Sequence, residues 1–201
     1  MAVPDRIVLA SANPKKVEEL REILTASGLT VELVPRPPEV PDVAEDAPDF
    51  VGNARLKAVA LAAATGLSAL ADDSGLVVDA LGGAPGVRSA RYAGDDATDA
   101  DNVALVLSEL SARGATDPAG RTARFRCVIV LRAPDGVEVV ADGSVEGRLV
   151  DAPRGSGGFG YDPLFVPDEG DGRTFAEMDA VEKHRISHRG RALRALVDQL
   201  T

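Results

Sequence analysis

The chain has 201 residues, 45% of them apolar and 27% charged, which is enough for one sizeable core or two small lobes sharing one, and it is expected to fold as a single unit. Its formal net charge of -10 excludes a protein that grips nucleic acid through a general basic surface, because that affinity comes from neutralising phosphates. No segment approaches the run of about 18 uncharged apolar residues that a membrane helix needs, and the lone Cys127, inside ARFRCVIVLR, has no partner for a disulfide or a thiolate zinc site and is expected to be a small buried hydrophobe.

The opening segment, MAVPDRIVLASAN, lacks a basic region leading into a long apolar one, which predicts a cytoplasmic address. Within it RIVLA (6–10) reads as a short buried strand. The next segment, SANPKKVEELREILTASG, carries helix punctuation: Asn13 can cap, Pro14 suits the first helical position, Val17, Leu20 and Leu24 recur on one face, and Gly28 is the expected stop. TVELVP is a second strand, and the Pro-rich acidic stretch RPPEVPDVAEDAPD is a surface loop. A helix is predicted from about Asp49 to Thr65, ending at Gly66. LSALA then forms a strand delivering Asp72 and Asp73 at its end, with GLVVDAL extended and GGAPG a turn. DATDADNVALVLSELSARG reads as a helix capped by Thr98 or Asp99 and closed by Gly114. Alternation on both sides of PDG in RTARFRCVIVLRAPDGVEVVADGSVEGRLV predicts antiparallel strands. After the Gly-rich loop RGSGGFGYDPLF, the C-terminal part reads as two short helices interrupted near Ser187. Crossover and hairpin signals together predict an α/β fold with a mixed sheet.

Four constellations can carry chemistry. A helix start offers unpaired N–H groups, so Ser11, Asn13 and Lys15 or Lys16 can cradle a phosphate, although the same residues also make an ordinary cap with surface lysines. Asp72 and Asp73 point to opposite faces of a strand and need not share a task. One can hold a divalent cation while the other orients or deprotonates a water, with Glu45 and Asp79 as further carboxylates. The alternative is a DDSG turn with an Asp cap. Phe159 and Tyr161 stand in the Gly-rich loop of a chain with five Phe, two Tyr and no Trp, where a ring can stack on a nucleobase or simply be buried. Lys183, His184, His188 and Arg189 supply hydrogen-bond donors, which favour an oxygen acceptor over an amino group and so a 6-keto purine over adenine. On an acidic chain the two basic clusters also read as solvated helix faces.

Five blocks in order, SANPKK, FVGNARLKA, ADDSGLVVDALGGAPGVRSARYAG, GGFGYDPLF and ISHRGRAL, resemble the inosine/xanthosine triphosphate pyrophosphatases, the non-canonical purine NTP pyrophosphatases, over nearly the whole chain. The resemblance implies an elongated α/β protein with a long mixed sheet and a cleft between two lobes, commonly a homodimer. It implies magnesium-dependent hydrolysis of dITP/ITP and XTP/dXTP to the monophosphate and pyrophosphate, clearing the nucleotide pool. Carried over by position, Ser11, Asn13, Lys16 and Lys57 contact phosphates. Asp73 activates water, and Glu45, Asp72 and Asp73 form the magnesium environment. Ser74 touches substrate, Phe159 stacks on the base with Gly160 and Tyr161 beside it, and Asp162, Lys183, His188 and Arg189 line the base pocket. Three positions depart from the family pattern: Gly52 replaces a glutamate before Asn53, Arg173 stands where a lysine is frequent, and Ser11 replaces a threonine. Two other readings stay open, a pyrophosphatase for modified pyrimidines and a catalytically silent nucleotide binder. The small-residue face of FVGNARLKAVALAAA suits a partner or, as expected, an internal core.

Overall fold

The computed structural model describes residues 3–11, 13–26 and 31–201. In chain order the elements are β1 (Arg6–Leu9), α1 (Pro14–Ala26), β2 (Glu32–Val34), α2 (Phe50–Thr65), β3 (Ser68–Val78), α3 (Asp99–Ala112), β4 (Thr122–Arg132), β5 (Glu138–Leu149), β6 (Phe165–Pro167), α4 (Ala180–Ile186) and α5 (His188–Leu200), with single 3-10 turns between some of them. The strands are ordered β2-β1-β3-β4-β5-β6. β2 and β3 run parallel to β1 and β6 runs antiparallel to β5, so the sheet is mixed, as the crossover and hairpin signals predict. The predicted stop at Gly28 lies outside the described residues. Among the described residues no helix is long and apolar enough to cross a membrane.

The chain divides into two compact units. The first comprises the chain up to Asp73 with Cys127–Gly143 and Arg189–Thr201; the second comprises Ser74–Arg126 and Ser144–His188. In the first, β3 alternates between two cores. Leu70 packs with Leu20 and Leu24 of α1 and Leu193 and Leu196 of α5, whereas Ala69 and Ala71 pack with Ala54, Ala58 and Leu61 of α2. The small residues of α2 are therefore largely internal packing, as expected, and they end at Gly66, a left-handed C-cap whose N–H donates to Ala62 O. Cys127 is buried in the first of these cores.

The second unit centres on Leu76, Val78, Val106, Leu110, Phe125, Phe165 and Phe175. Its helix α3 begins at Thr98 with a reciprocal capping box to Asp101. β6 went unrecognised in the sequence because three buried residues, Phe165, Val166 and Pro167, are too few to show a period. Its close pairing with β5 depends on Gly147, where an added Cβ would lie 2.3 Å from Val166 O and 2.7 Å from the Phe165 ring. Gly147→Ala is expected to lower unfolding free energy by about 1–3 kcal/mol, the usual range for overpacking, measurable by urea titration. Wild-type stability would show that β6 moves freely.

Candidate active site

The structure corrects one expectation at once. Asp72 and Asp73 are not at the end of a strand or in a turn; they lie inside the eleven-residue strand β3, buried to 3% and 5% exposure. Two carboxylates inside a strand require compensation from both faces of the sheet, and the helices on either side supply it.

On the face shared with Leu70, Asp72 meets two cations. Lys16 lies one turn before Leu20 on the buried side of α1, and its Nζ is 3.4 Å from Asp72 Oδ2. Arg189 lies one turn before Leu193 on α5, is 1% exposed, and brings Nη2 to 3.4 Å from the same oxygen while its Nη1 pairs with Glu19. Burial alone would push Asp72 up, but Lys16, Arg189 and Lys57 outweigh it and hold the carboxyl below the usual range. Asp72 is thus a carboxylate anchor for two cations.

On the opposite face Asp73 meets α2. Asn53 and Lys57, one turn apart beside Ala54 and Ala58, both face it: Asn53 Nδ2 donates to Asp73 Oδ2 at 3.1 Å, and Lys57 Nζ is 3.8 Å from Oδ1. Lys57 also reaches Glu45 of the acidic loop at 3.1 Å. Burial, aided by the charge of Glu45, pushes Asp73 up to about 6 against the pull of Lys57, Asn53 and Lys16. One strand therefore holds a carboxylate that stays ionised next to one able to take up a proton near neutral pH, because the first faces two cations and the second is mainly desolvated.

At the start of α1, Asn13 Oδ1 accepts from the N–H groups of Lys15 and Lys16, and its own N–H donates to Ser11 Oγ, so Asn13 is a cap as predicted. The hard oxygens of Glu45 and Asp73 suit magnesium, and a cation between them would offset the burial that chiefly raises Asp73 and the charge of Glu45 that adds to it. Asp72 is already committed to Lys16 and Arg189. Among the described residues no three His, Cys, Asp or Glu side chains converge on one point, so waters and phosphate oxygens would complete the ion's coordination.

In the second unit Asp162 organises the Gly-rich loop. Its Oδ2 accepts from Phe159 N–H at 2.9 Å and from Lys183 Nζ at 2.8 Å, and Lys183 Nζ stands 5.0 Å from the centroid of the half-buried Phe159 ring. Gly158 makes this possible: its φ is +70°, and an added Cβ would fall 2.1 Å from Asp162 Oδ2. Gly160 N–H donates to Asp99 Oδ2, tying the loop to the first turn of α3. Tyr161 is buried with its hydroxyl donating to Ser89 O, so its ring is part of the loop's foundation. His188 stacks on Phe125 at 4.7 Å and 10°, and Ser74 is half-buried on β3.

The guanidinium of Arg189 is directed to Asp72 and Glu19, because the face of α5 that buries Leu193 turns it toward β3. Arg173 pairs with Asp171 and Glu182. Sequence reasoning missed Glu19 and Asn53. The available signal for Asn53 was a polar residue among Phe50, Ala54, Ala58 and Leu61, all buried on one side of a helix.

Comparison with known proteins then decides the family. The model of the Ham1 family matches residues 7–199. The chain belongs to the Ham1 family. A relative from Streptomyces coelicolor, a dITP/XTP pyrophosphatase, is 52% identical over 196 residues, covering 96% of this chain and 95% of its own. One of the same name from Frankia alni is 52% identical over 200 residues, covering 97% and 96%. Among solved structures, a HAM1 protein from Coxiella burnetii superposes with a TM-score of 0.87 at 45% identity, over 100% of this chain and 98% of that one. The two carboxylate faces and the Asp162-centred loop are therefore features of a Ham1 protein, and the α/β fold implied by the sequence blocks holds.

Proposed function

We propose that this Ham1 protein hydrolyses non-canonical purine nucleoside triphosphates, dITP/ITP and XTP/dXTP, to the monophosphate and pyrophosphate, with magnesium as cofactor. The observation that carries the reading is the division of labour on β3: Asp72 is neutralised by Lys16 and Arg189, while Asp73 beside it is desolvated and faces Asn53, Lys57 and Glu45. Names shared by relatives at about half identity support the substrate class.

Lys16 and Lys57, with Ser11, neutralise and orient the triphosphate, and Asp72 fixes where the ammonium of Lys16 points. Asp73 takes a proton from the attacking water, so that the bond between the α- and β-phosphates breaks and pyrophosphate leaves. Glu45 and Asp73 would hold magnesium, which supplies charge neutralisation to the phosphate oxygens. Phe159 stacks on the purine, and Lys183, held by Asp162, donates toward the 6-keto oxygen. Residues 1–201 act as one catalytic domain. The cytoplasmic address rests on the sequence and the homodimer on the family resemblance; light scattering tests the dimer.

The test is product identity. Incubation with dITP, XTP, dGTP and dATP, with and without magnesium, should release pyrophosphate from dITP and XTP only when magnesium is present, with little from dGTP or dATP. Orthophosphate would indicate a terminal phosphatase, and binding without product a silent nucleotide binder. Lys183→Met should raise KM for dITP about 10- to 100-fold, the range for a lost charged hydrogen bond.

A further inference from the structure

We propose that Gly52 and Asn53 form a positioning device for the reaction, seating the acidic loop on the first turn of α2 and linking it to Asp73. The inference rests on the pyrophosphatase reading above. Residues 41–47, which carry Glu45, have no regular secondary structure, so side-chain contacts must fix their place. Asn53 makes one such contact and, with the other end of the same amide, a link to Asp73. Its Oδ1 accepts from Ala47 N–H at 3.0 Å and its Nδ2 donates to Asp73 Oδ2 at 3.1 Å. The side chain is fully buried, and the Ala47 N–H dictates which end of the amide faces the loop.

Gly52 lets the loop approach. A Cβ built there would lie 2.5 Å from Ala47 Cβ, where carbon atoms favour about 3.5–4.0 Å, so any side chain would push the loop away by roughly an ångström. The φ of Gly52 is not in the left-handed region, so its backbone does not require glycine, and alanine is the better helix former. The close approach is what glycine serves here. Two residues before Ala47, Glu45 reaches Lys57 at 3.1 Å, and Lys57 lies 3.8 Å from Asp73, so a shift at Ala47 is passed to the groups that handle phosphate and water.

The test exchanges the methyl group between the two positions. Gly52→Ala should lower kcat for dITP about 10- to 100-fold with KM within about threefold, since an ångström of misplacement is enough for such a loss. The double variant Gly52→Ala/Ala47→Gly removes the clash and should recover kcat to within about fivefold of wild type. Full turnover in Gly52→Ala, or a double variant no better than the single one, would overturn the proposal. Amide hydrogen exchange on the ligand-free proteins separates this from the functional reading. The residue-47 N–H should be protected in wild type, exposed in Gly52→Ala and protected again in the double variant. A wild-type chain that released no pyrophosphate would overturn the reaction assigned here, while unchanged protection in Gly52→Ala would overturn the docking itself.

Discussion

Asp73→Asn is expected to lower pyrophosphate release about a thousandfold, within the range for loss of a general base, and at the same time to stabilise the metal-free protein at pH 8. The two effects share one cause. Folding carries the Asp73 carboxyl from an ordinary value of 3.8 up to about 6, chiefly by burial. Between those values the native state binds more protons than the unfolded chain, so stability falls as pH rises through that window. Above it the ionised carboxylate costs at most about 3 kcal/mol, at 1.36 kcal/mol per unit. An amide at this position carries no charge and can still accept from Asn53. The gain in melting temperature over wild type should therefore be present at pH 8 and absent at pH 4, measured with a chelator. Wild-type turnover in the variant would remove Asp73 from the reaction, and a gain independent of pH would mean that its charge is not what strains the site.

Arg189→Met carries the largest expected loss of stability, about 3–5 kcal/mol, because it leaves buried carboxylates without their partner. Asp72 would keep Lys16, and Glu19 would lose the guanidinium that now pairs with it. Turnover should fall as well, since Lys16 would be drawn further onto Asp72 and away from phosphate. Asp72→Asn shows the opposite pH signature to Asp73→Asn. The native carboxyl lies below its usual range, so its ionised form stabilises the fold above the ordinary carboxylate value, and that contribution is lost only in acid. Wild type and Asp72→Asn should differ at pH 7, and the difference should begin to shrink only below about pH 4 and close in stronger acid, as followed by urea unfolding across pH. An Arg189→Met protein as stable as wild type would show that water reaches the pair freely.

Much of this protein can be read from residue order. Asn13 with Pro14 announced α1, Thr98 or Asp99 with Gly114 announced α3, and alternation around Pro134–Gly136 announced β4 and β5, because caps, turns and periods are local physics that neighbouring residues settle among themselves. Sequence blocks in order likewise identified the family. What a single chain of letters does not carry is which distant groups meet. Asp72 and Asp73 are adjacent and chemically identical, and only the packing of α1 and α5 on one face of β3 and α2 on the other holds the carboxyl of one below the usual range and raises that of the other. The same packing sends Arg189 to Asp72 and Glu19, and it brings the acidic loop against Gly52 and Asn53. Burial and long-range charge decide these roles, and both are properties of the folded chain alone.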